Sequence, residues 1–421
     1  MKKTITTLFA VFIALLAVSQ AALAIPAFAR KHAFNCNMCH VAFPKLNDFG
    51  QRFRDNGYQI PGQQGKEKTI FQSPVPLAIR TNAGYSLYHV DERSAGGFHV
   101  YGVDLLSGGV LNKNISYLFI YTPRIDEPAA DFTGPGTGNN PWQLGAVESA
   151  AVVFSNIVPD KLNLRVGRFE PDFHLLSSKR SYYILQPYEI YDFAGAQSSF
   201  DFSANQIGLE ATGRFRPGLR YAVGYINGTG GNPDNNKFND LYATVSKVFG
   251  KGEGQSAGQR AGVFGYLGWQ PTASGTMISP VGDTDGGANR TYYRVGGDVS
   301  LNWKTFNLEG LAFYGSDNGA FNPVDLTRRY NFWGGVTELD WAGCFDNRLV
   351  ASVMYNWVRP PSYDSAGSAL RVDAYSALAR YYVGSWSAVN VAIHAEYTHR
   401  VFGSILKIKD DLATLMIDFA F

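Results

Sequence analysis

From Val75 onward the chain alternates apolar and polar residues with a period of two, in stretches that break at turn residues. The clearest stretch sets Ala413, Leu415, Ile417, Phe419 and Phe421 on one side and Thr414, Met416 and Asp418 on the other. A second sets Val389, Val391, Ile393, Ala395 and Tyr397 against Asn390, His394, Glu396 and Thr398. A third sets Leu349, Ala351, Val353, Tyr355 and Trp357 against Ser352, Met354 and Asn356. Because side chains alternate across a strand, each stretch is a β-strand with one apolar and one polar face. Sixteen such strands are predicted, over 75–88, 97–107, 112–122, 144–156, 162–169, 205–215, 218–228, 240–249, 260–271, 291–303, 305–315, 331–342, 347–358, 370–382, 387–400 and 410–421. The terminal strand ending on Phe421 resembles an outer-membrane barrel assembly signal. The expected fold is all-β, a transmembrane antiparallel barrel with apolar residues toward lipid and polar residues toward the lumen. A barrel of about sixteen strands is wide enough to leave an aqueous lumen.

The connections carry a second pattern. Gaps after even-numbered strands are mostly short, and gaps after odd-numbered strands are mostly long, with 250–259 as the exception. Short periplasmic turns and long outer loops are the usual asymmetry of such barrels, which puts the N-terminal segment on the periplasmic side. The longest connection, 170–204, contains Phe173, His174 and the run Tyr182-Tyr183-Ile184-Leu185. It is too apolar for a solvated loop and is expected to fold into the lumen as a constriction.

Composition agrees with a large β protein. Of 421 residues 45 are glycine, aromatics make up 14% and charged residues only 17%. The formal net charge of +2, with no basic run, gives no reason to expect nucleic acid as a partner. The first 24 residues read as a secretory signal, with Lys2 and Lys3, an apolar core from Leu8 to Val18 and the cleavage site Ala22-Leu23-Ala24. The organisation expected is a signal peptide over 1–24, a short segment over 25–62, a linker over 63–74 and the barrel over 75–421. After the signal no apolar run reaches 18 residues, so a membrane crossing must use strands.

The short segment carries the chemistry. Residues 36–40 read Cys36-Asn37-Met38-Cys39-His40, the C-x-x-C-H spacing of c-type haem attachment. Cys36 and Cys39 would reach the two vinyl groups, and His40 would ligate the iron from the proximal side. A dithiol redox pair or a zinc site are the alternatives, and only His32 stands nearby to complete a zinc site. One motif means one covalent haem. Phe43–Phe53 is expected to form one helix, with Pro44 in its first turn, Leu46, Phe49 and Phe53 on one face and Gly57 past its end. About 40 residues cannot bury a haem alone, so the rest of the chain must complete the seat, with the segment plugging the lumen. The distal ligand is open. His174, His394, Met354 and Met416 are candidates, His32, His89 and His99 are weaker ones, and each is more simply an ordinary lumen or surface side chain. Cys344 falls in a short turn and reads as an incidental free thiol.

Ile25-Pro26-Ala27-Phe28-Ala29-Arg30, the C-x-x-C-H motif, Phe43-Pro44-Lys45-Leu46-Asn47-x-Phe49-Gly50 and Asn56-Gly57-Tyr58 together resemble the fused monohaem cytochrome–porins of iron-oxidising bacteria. The detailed resemblance covers about 35 residues, and the barrel matches in architecture and length. It implies one c-type haem on Cys36 and Cys39 with His40 as proximal ligand. It also implies an outer-membrane Fe(II):cytochrome c oxidoreductase that passes electrons from extracellular Fe(II) to a periplasmic c-type cytochrome. Asp91, Glu92, Asp126, Glu127, Asp131, Asp283 and Asp285 in the outer loops offer oxygen ligands for Fe(II), although solvated loop charge is the simpler account of any one of them. Two other functions stay open: electron export to another extracellular partner, and a diffusion porin with an accessory haem segment. Arg80, Arg165 and Arg371 would be the lumen charges of such a porin.

Overall fold

A computed structural model describes residues 27–421, except 33, 35–37, 43, 74, 124–145, 173–175, 186–187, 192, 194–200, 216–217, 231–233, 235, 237, 250–258, 272–288, 323–324, 345–347, 362, 364–370, 384–389, 404–406 and 421. The signal peptide, Cys36, His174, Phe421 and the acidic loop residues Asp126, Glu127, Asp131, Asp283 and Asp285 lie outside the described residues.

Sixteen strands close into one antiparallel barrel among the described residues. They are β1 (Leu77–Val90), β2 (Arg93–Asn112), β3 (Ile115–Thr122), β4 (Ala146–Val158), β5 (Leu162–Phe169), β6 (Gln206–Phe215), β7 (Leu219–Ile226) and β8 (Asp240–Phe249), followed by β9 (Gln259–Pro271), β10 (Asn289–Trp303), β11 (Phe306–Asp317), β12 (Tyr330–Gly343), β13 (Leu349–Arg359), β14 (Val372–Tyr382), β15 (Asn390–Phe402) and β16 (Ile408–Ala420). Each predicted stretch corresponds to one strand. The largest difference is β2, which starts at Arg93 rather than 97, because Asp91 takes a positive φ of 49° and turns the chain within two residues. Closure comes from β16 against β1, in register from Asp410↔Val90 to Ala420↔Arg80. No backbone edge is left for lipid to meet.

The alternation read from the sequence is the inside–outside pattern of the wall. On β16 Thr414, Met416 and Asp418 are buried, whereas Leu415 and Ile417 are exposed. Aromatic residues gather at both ends of the outer surface. Phe215 stacks on Tyr221, and Trp303 on Phe306, at the short-turn end. Tyr314 packs on Trp333, and Tyr355 stacks on Tyr375, at the other. On β11 the two girdles are marked by Phe306 and Tyr314, roughly 26 Å apart along the strand, close to the apolar band of about 25 Å seen in barrels that cross membranes. The barrel therefore spans a membrane.

The lumen is filled. The connection after β5 turns inward as expected, and Tyr182, Tyr183, Tyr188, Ile190, Tyr191 and Phe193 are buried. Glu396 on β15 fixes it by accepting from the backbone N–H groups of Ile184 (2.8 Å) and Leu185 (3.1 Å). Beside it, at the short-turn end, sits the N-terminal segment, with helices α1 (Ala27–His32) and α2 (Asp48–Asp55).

Candidate functional site

α2 is shorter than the periodicity predicted. Residues 44–46 are not helical, because Lys45–Leu46 pairs with His40–Ala42 as a small hairpin. The helix starts only where Asn47 caps it, its side chain accepting from the Gly50 N–H at 2.9 Å. Asn47 also clamps the motif. Its N–H donates to the Cys39 carbonyl at 2.9 Å, and its side-chain amide donates to the Met38 carbonyl at 3.1 Å. Gly50 lies so close that an added Cβ would fall on the Cys39 carbonyl oxygen. The helix ends at Asn56, and Gly57 follows with φ +66°. Phe53 and Tyr58 then pack on Phe28 of α1, with ring centroids 5.2 and 5.1 Å away.

His40 is oriented from behind. Its Nδ1 bonds the Pro44 carbonyl at 3.0 Å. A carbonyl can only accept, so the proton is on Nδ1 and the lone pair on Nε2. Burial lowers the imidazole to about 4, so the ring is neutral. A neutral imidazole whose other nitrogen is held by a hydrogen bond is the state that a metal ligand needs.

The segment is bolted to the barrel by ion pairs. The Lys45 ammonium meets Glu309 (2.6 Å) on β11, and Glu338 (2.8 Å) and Asp340 (2.6 Å) on β12. Burial acts against its charge, but Asp340, Glu309 and Glu338 outweigh that and hold the ammonium well above its ordinary range. Asp55 takes two hydrogen bonds from Arg220 of β7, each 2.8 Å. Arg54 donates to Asp172 of the inward connection at 2.8 Å, and Arg220 reaches the same carboxylate. Burial alone would raise these carboxyls. Arg220 and Arg214 instead bring Asp55 down, Arg220 and Arg54 bring Asp172 far down, and Arg180 and Arg54 bring Glu170 down to about 2.

Three adjoining cavities, of about 240, 160 and 150 Å3, separate this plug from the wall of β1, β2 and β3, and Arg80 and Lys179 line all three. The smallest opens on His40 and Pro44 and is walled mainly by Phe28, Ala78, Ile79, Leu106 and Leu118. The chemistry of the lining, apolar side chains around an oriented imidazole one residue from Cys39, suits a covalently held haem. Cys39 is partly buried. Apart from His40, the cavity linings contain no histidine or methionine among the described residues.

The described distal candidates are therefore not among the residues that line the cavities beside His40, and His174 lies outside the described residues. His394 is buried and bonded to Glu396 at 2.9 Å, and Met354 and Met416 are buried in the lumen wall. His32 lies on α1, 3.6 Å from Glu67, and His89 bonds Ser94 at 2.8 Å near the outer end of β1. His99 packs edge-on to Tyr88 within β2. Cys344 stands in the turn after β12, exposed. The three arginines read as lumen charges are paired: Arg80 with Asp104, Arg165 with Glu210 at 3.1 Å and the more exposed Arg371 with Asp373 at 3.3 Å. Of the outer carboxylates, Asp91 and Glu92 form the tight β1–β2 turn. Sequence reading missed Asn47, Lys45 and Asp55. Their signal was charge and an amide within a segment otherwise needed for packing.

No protein-family model matches the chain, and no curated protein matches it. Among solved structures it is similar to an anion-selective porin from Comamonas acidovorans, with 13% identity, 82% of this chain and 100% of that chain covered, and a TM-score of 0.56. The chain has a porin-like fold. Two more structures agree: the outer membrane channel DcaP of Acinetobacter baumannii (11% identity, 82% and 97% covered, TM-score 0.52) and OprB of Pseudomonas putida (12% identity, 86% and 97% covered, TM-score 0.51). At such identities the likeness is one of fold.

Proposed function

We propose that this porin-like chain is a bacterial outer-membrane electron-transfer protein. It carries one c-type haem on Cys36 and Cys39 with His40 as the iron ligand, oxidises extracellular Fe(II) and delivers the electron to a periplasmic cytochrome. The observation that carries this reading is the His40–Pro44 hydrogen bond within a plug locked inside a membrane-spanning barrel. When bound, haem supplies a one-electron iron couple.

The chain's own residues do the rest. Pro44 fixes the His40 tautomer, and Asn47 holds the Met38 and Cys39 carbonyls. Phe28, Ile79, Leu106 and Leu118 keep water from the face beside His40. Lys45 and Asp55 fix the plug to two separate parts of the wall, which holds the site in place within the lumen. Outer-sphere transfer needs no acid or base, and none is assigned. In this reading the short-turn end faces the periplasm.

The test is a stopped-flow spectrum of the purified, oxidised protein mixed with Fe(II), after mass spectrometry for covalent haem. Rapid growth of a reduced c-type α band, absent in His40→Ala, is expected. A loaded haem that ignores Fe(II) yet is reduced by a periplasmic cytochrome would reverse the direction of flow and favour electron export.

A further inference from the structure

We propose that Arg80, Lys179 and Arg180 form the anchor for the two propionates of the haem, so that the barrel wall and the inward connection complete a seat the N-terminal segment cannot build alone. The inference rests on the haem reading above and concerns residues that no motif marks.

The cavity beside His40 has an unusual balance. Its walls are apolar, and among the described residues its charged lining is Arg80, Lys179 and Arg180, three cations with no carboxylate. Cations at the edge of an apolar space are costly unless an anion meets them. Each is also paired with a carboxylate that does not line this cavity: Asp104 for Arg80, Glu148 for Lys179 at 2.8 Å and Glu170 for Arg180 at 2.6 Å. These pairs hold the cations in place without closing the cavity, and a guanidinium with five donors can serve a second carboxylate. Arg80 is fixed by β1. Lys179 and Arg180 lie in a short 3-10 turn, Ser178–Arg180, whose flanking Ser177 hydroxyl donates to Glu170. The lining thus suits an apolar molecule that carries carboxylates for these cations and meets His40. A haem joined to Cys36 and Cys39 has that chemistry. Cations beside the propionates offset their negative charge and so favour the reduced iron relative to a seat without them, which suits a centre that takes electrons from Fe(II).

The test measures the midpoint potential as a function of pH by spectroelectrochemistry, on the full-length protein in detergent. The wild type is compared with Lys179→Gln/Arg180→Gln, with Arg180→Lys and with Arg371→Gln, which removes one positive charge at a residue outside the cavity linings. The expected result is a nearly flat wild-type potential between pH 5 and 8, since paired propionates stay ionised. The double variant should shift to more negative potential and gain a pH-dependent limb, Arg180→Lys should restore most of the difference and Arg371→Gln should match wild type. A double variant that keeps the wild-type potential and pH profile overturns the anchor while leaving the haem assignment intact. Wild-type protein without covalent haem, seen in its intact mass, overturns the haem reading itself. Each variant is first checked for a folded barrel by heat-shifted gel migration.

Discussion

At the residue scale the C-x-x-C-H motif depends on neighbours that would not themselves touch a bound iron. Asn47 ends a hairpin, caps a helix and holds two carbonyls of the attachment loop. Asn47→Ala should cost about 1 kcal/mol at the cap and lower the fraction of chains carrying haem, read by intact mass and by amide exchange over 48–55. Asn47→Asp keeps the cap but loses the donor to Met38, so it should restore the helix more than the attachment. Cys36, Cys39 and His40 stand out in the sequence because, in the proposed role, their spacing is itself the chemistry. Asn47 does not, because Leu46, Phe49 and Phe53 extend the helical period through it, and only the pairing of Lys45–Leu46 with His40–Ala42 shows where the helix must start. Lys179 and Arg180 were illegible for a different reason: nothing local tells a loop lysine that it will turn inward.

At the element scale the plug behaves as a docked helix held by buried charge. Breaking such a pair by removing one partner costs roughly 3–5 kcal/mol. Lys45→Met strands three carboxylates, whereas Asp55→Asn leaves Arg220 its bond to Asp172. Lys45→Met should therefore release the plug more completely, seen as the larger rise in single-channel conductance; the opposite order would contradict the assigned anchors. Acid should do the same. Asp55 faces Arg220 and Arg214, Asp172 faces Arg54, Arg220 and Arg165, and Glu170 faces Arg180, Arg54 and Lys179. Their carboxyls are depressed in the docked state, so their contribution is present above the ordinary carboxylate range and is lost as pH falls through the lowered values. For Glu170 that window runs from 4.5 down to about 2. Conductance should be stable from pH 5 to 8 and rise below about 4.5, with Lys45→Met already open at neutral pH.

At the scale of the whole molecule, the strand count, the inside–outside pattern and the inward connection were all legible, because lipid on one side and a packed lumen on the other enforce a strict period of two. Pairing of distant residues was not: that Lys45 meets β11 and β12, and that His394 is occupied by Glu396, follows from closure and from loops whose paths no periodicity encodes. Deletion of 27–62 should leave a heat-resistant, β-rich barrel with higher conductance, since the wall hydrogen bonds do not involve the plug. Closure of β16 on β1 also sets an order of assembly. The plug precedes β1, the inward connection lies between β5 and β6, and both are enclosed by a wall that is complete only when β16 arrives. In the proposed role, a haem attached to the N-terminal segment before the strands pair would be enclosed as the wall closes, so its attachment and the insertion of the barrel would form one sequence of events.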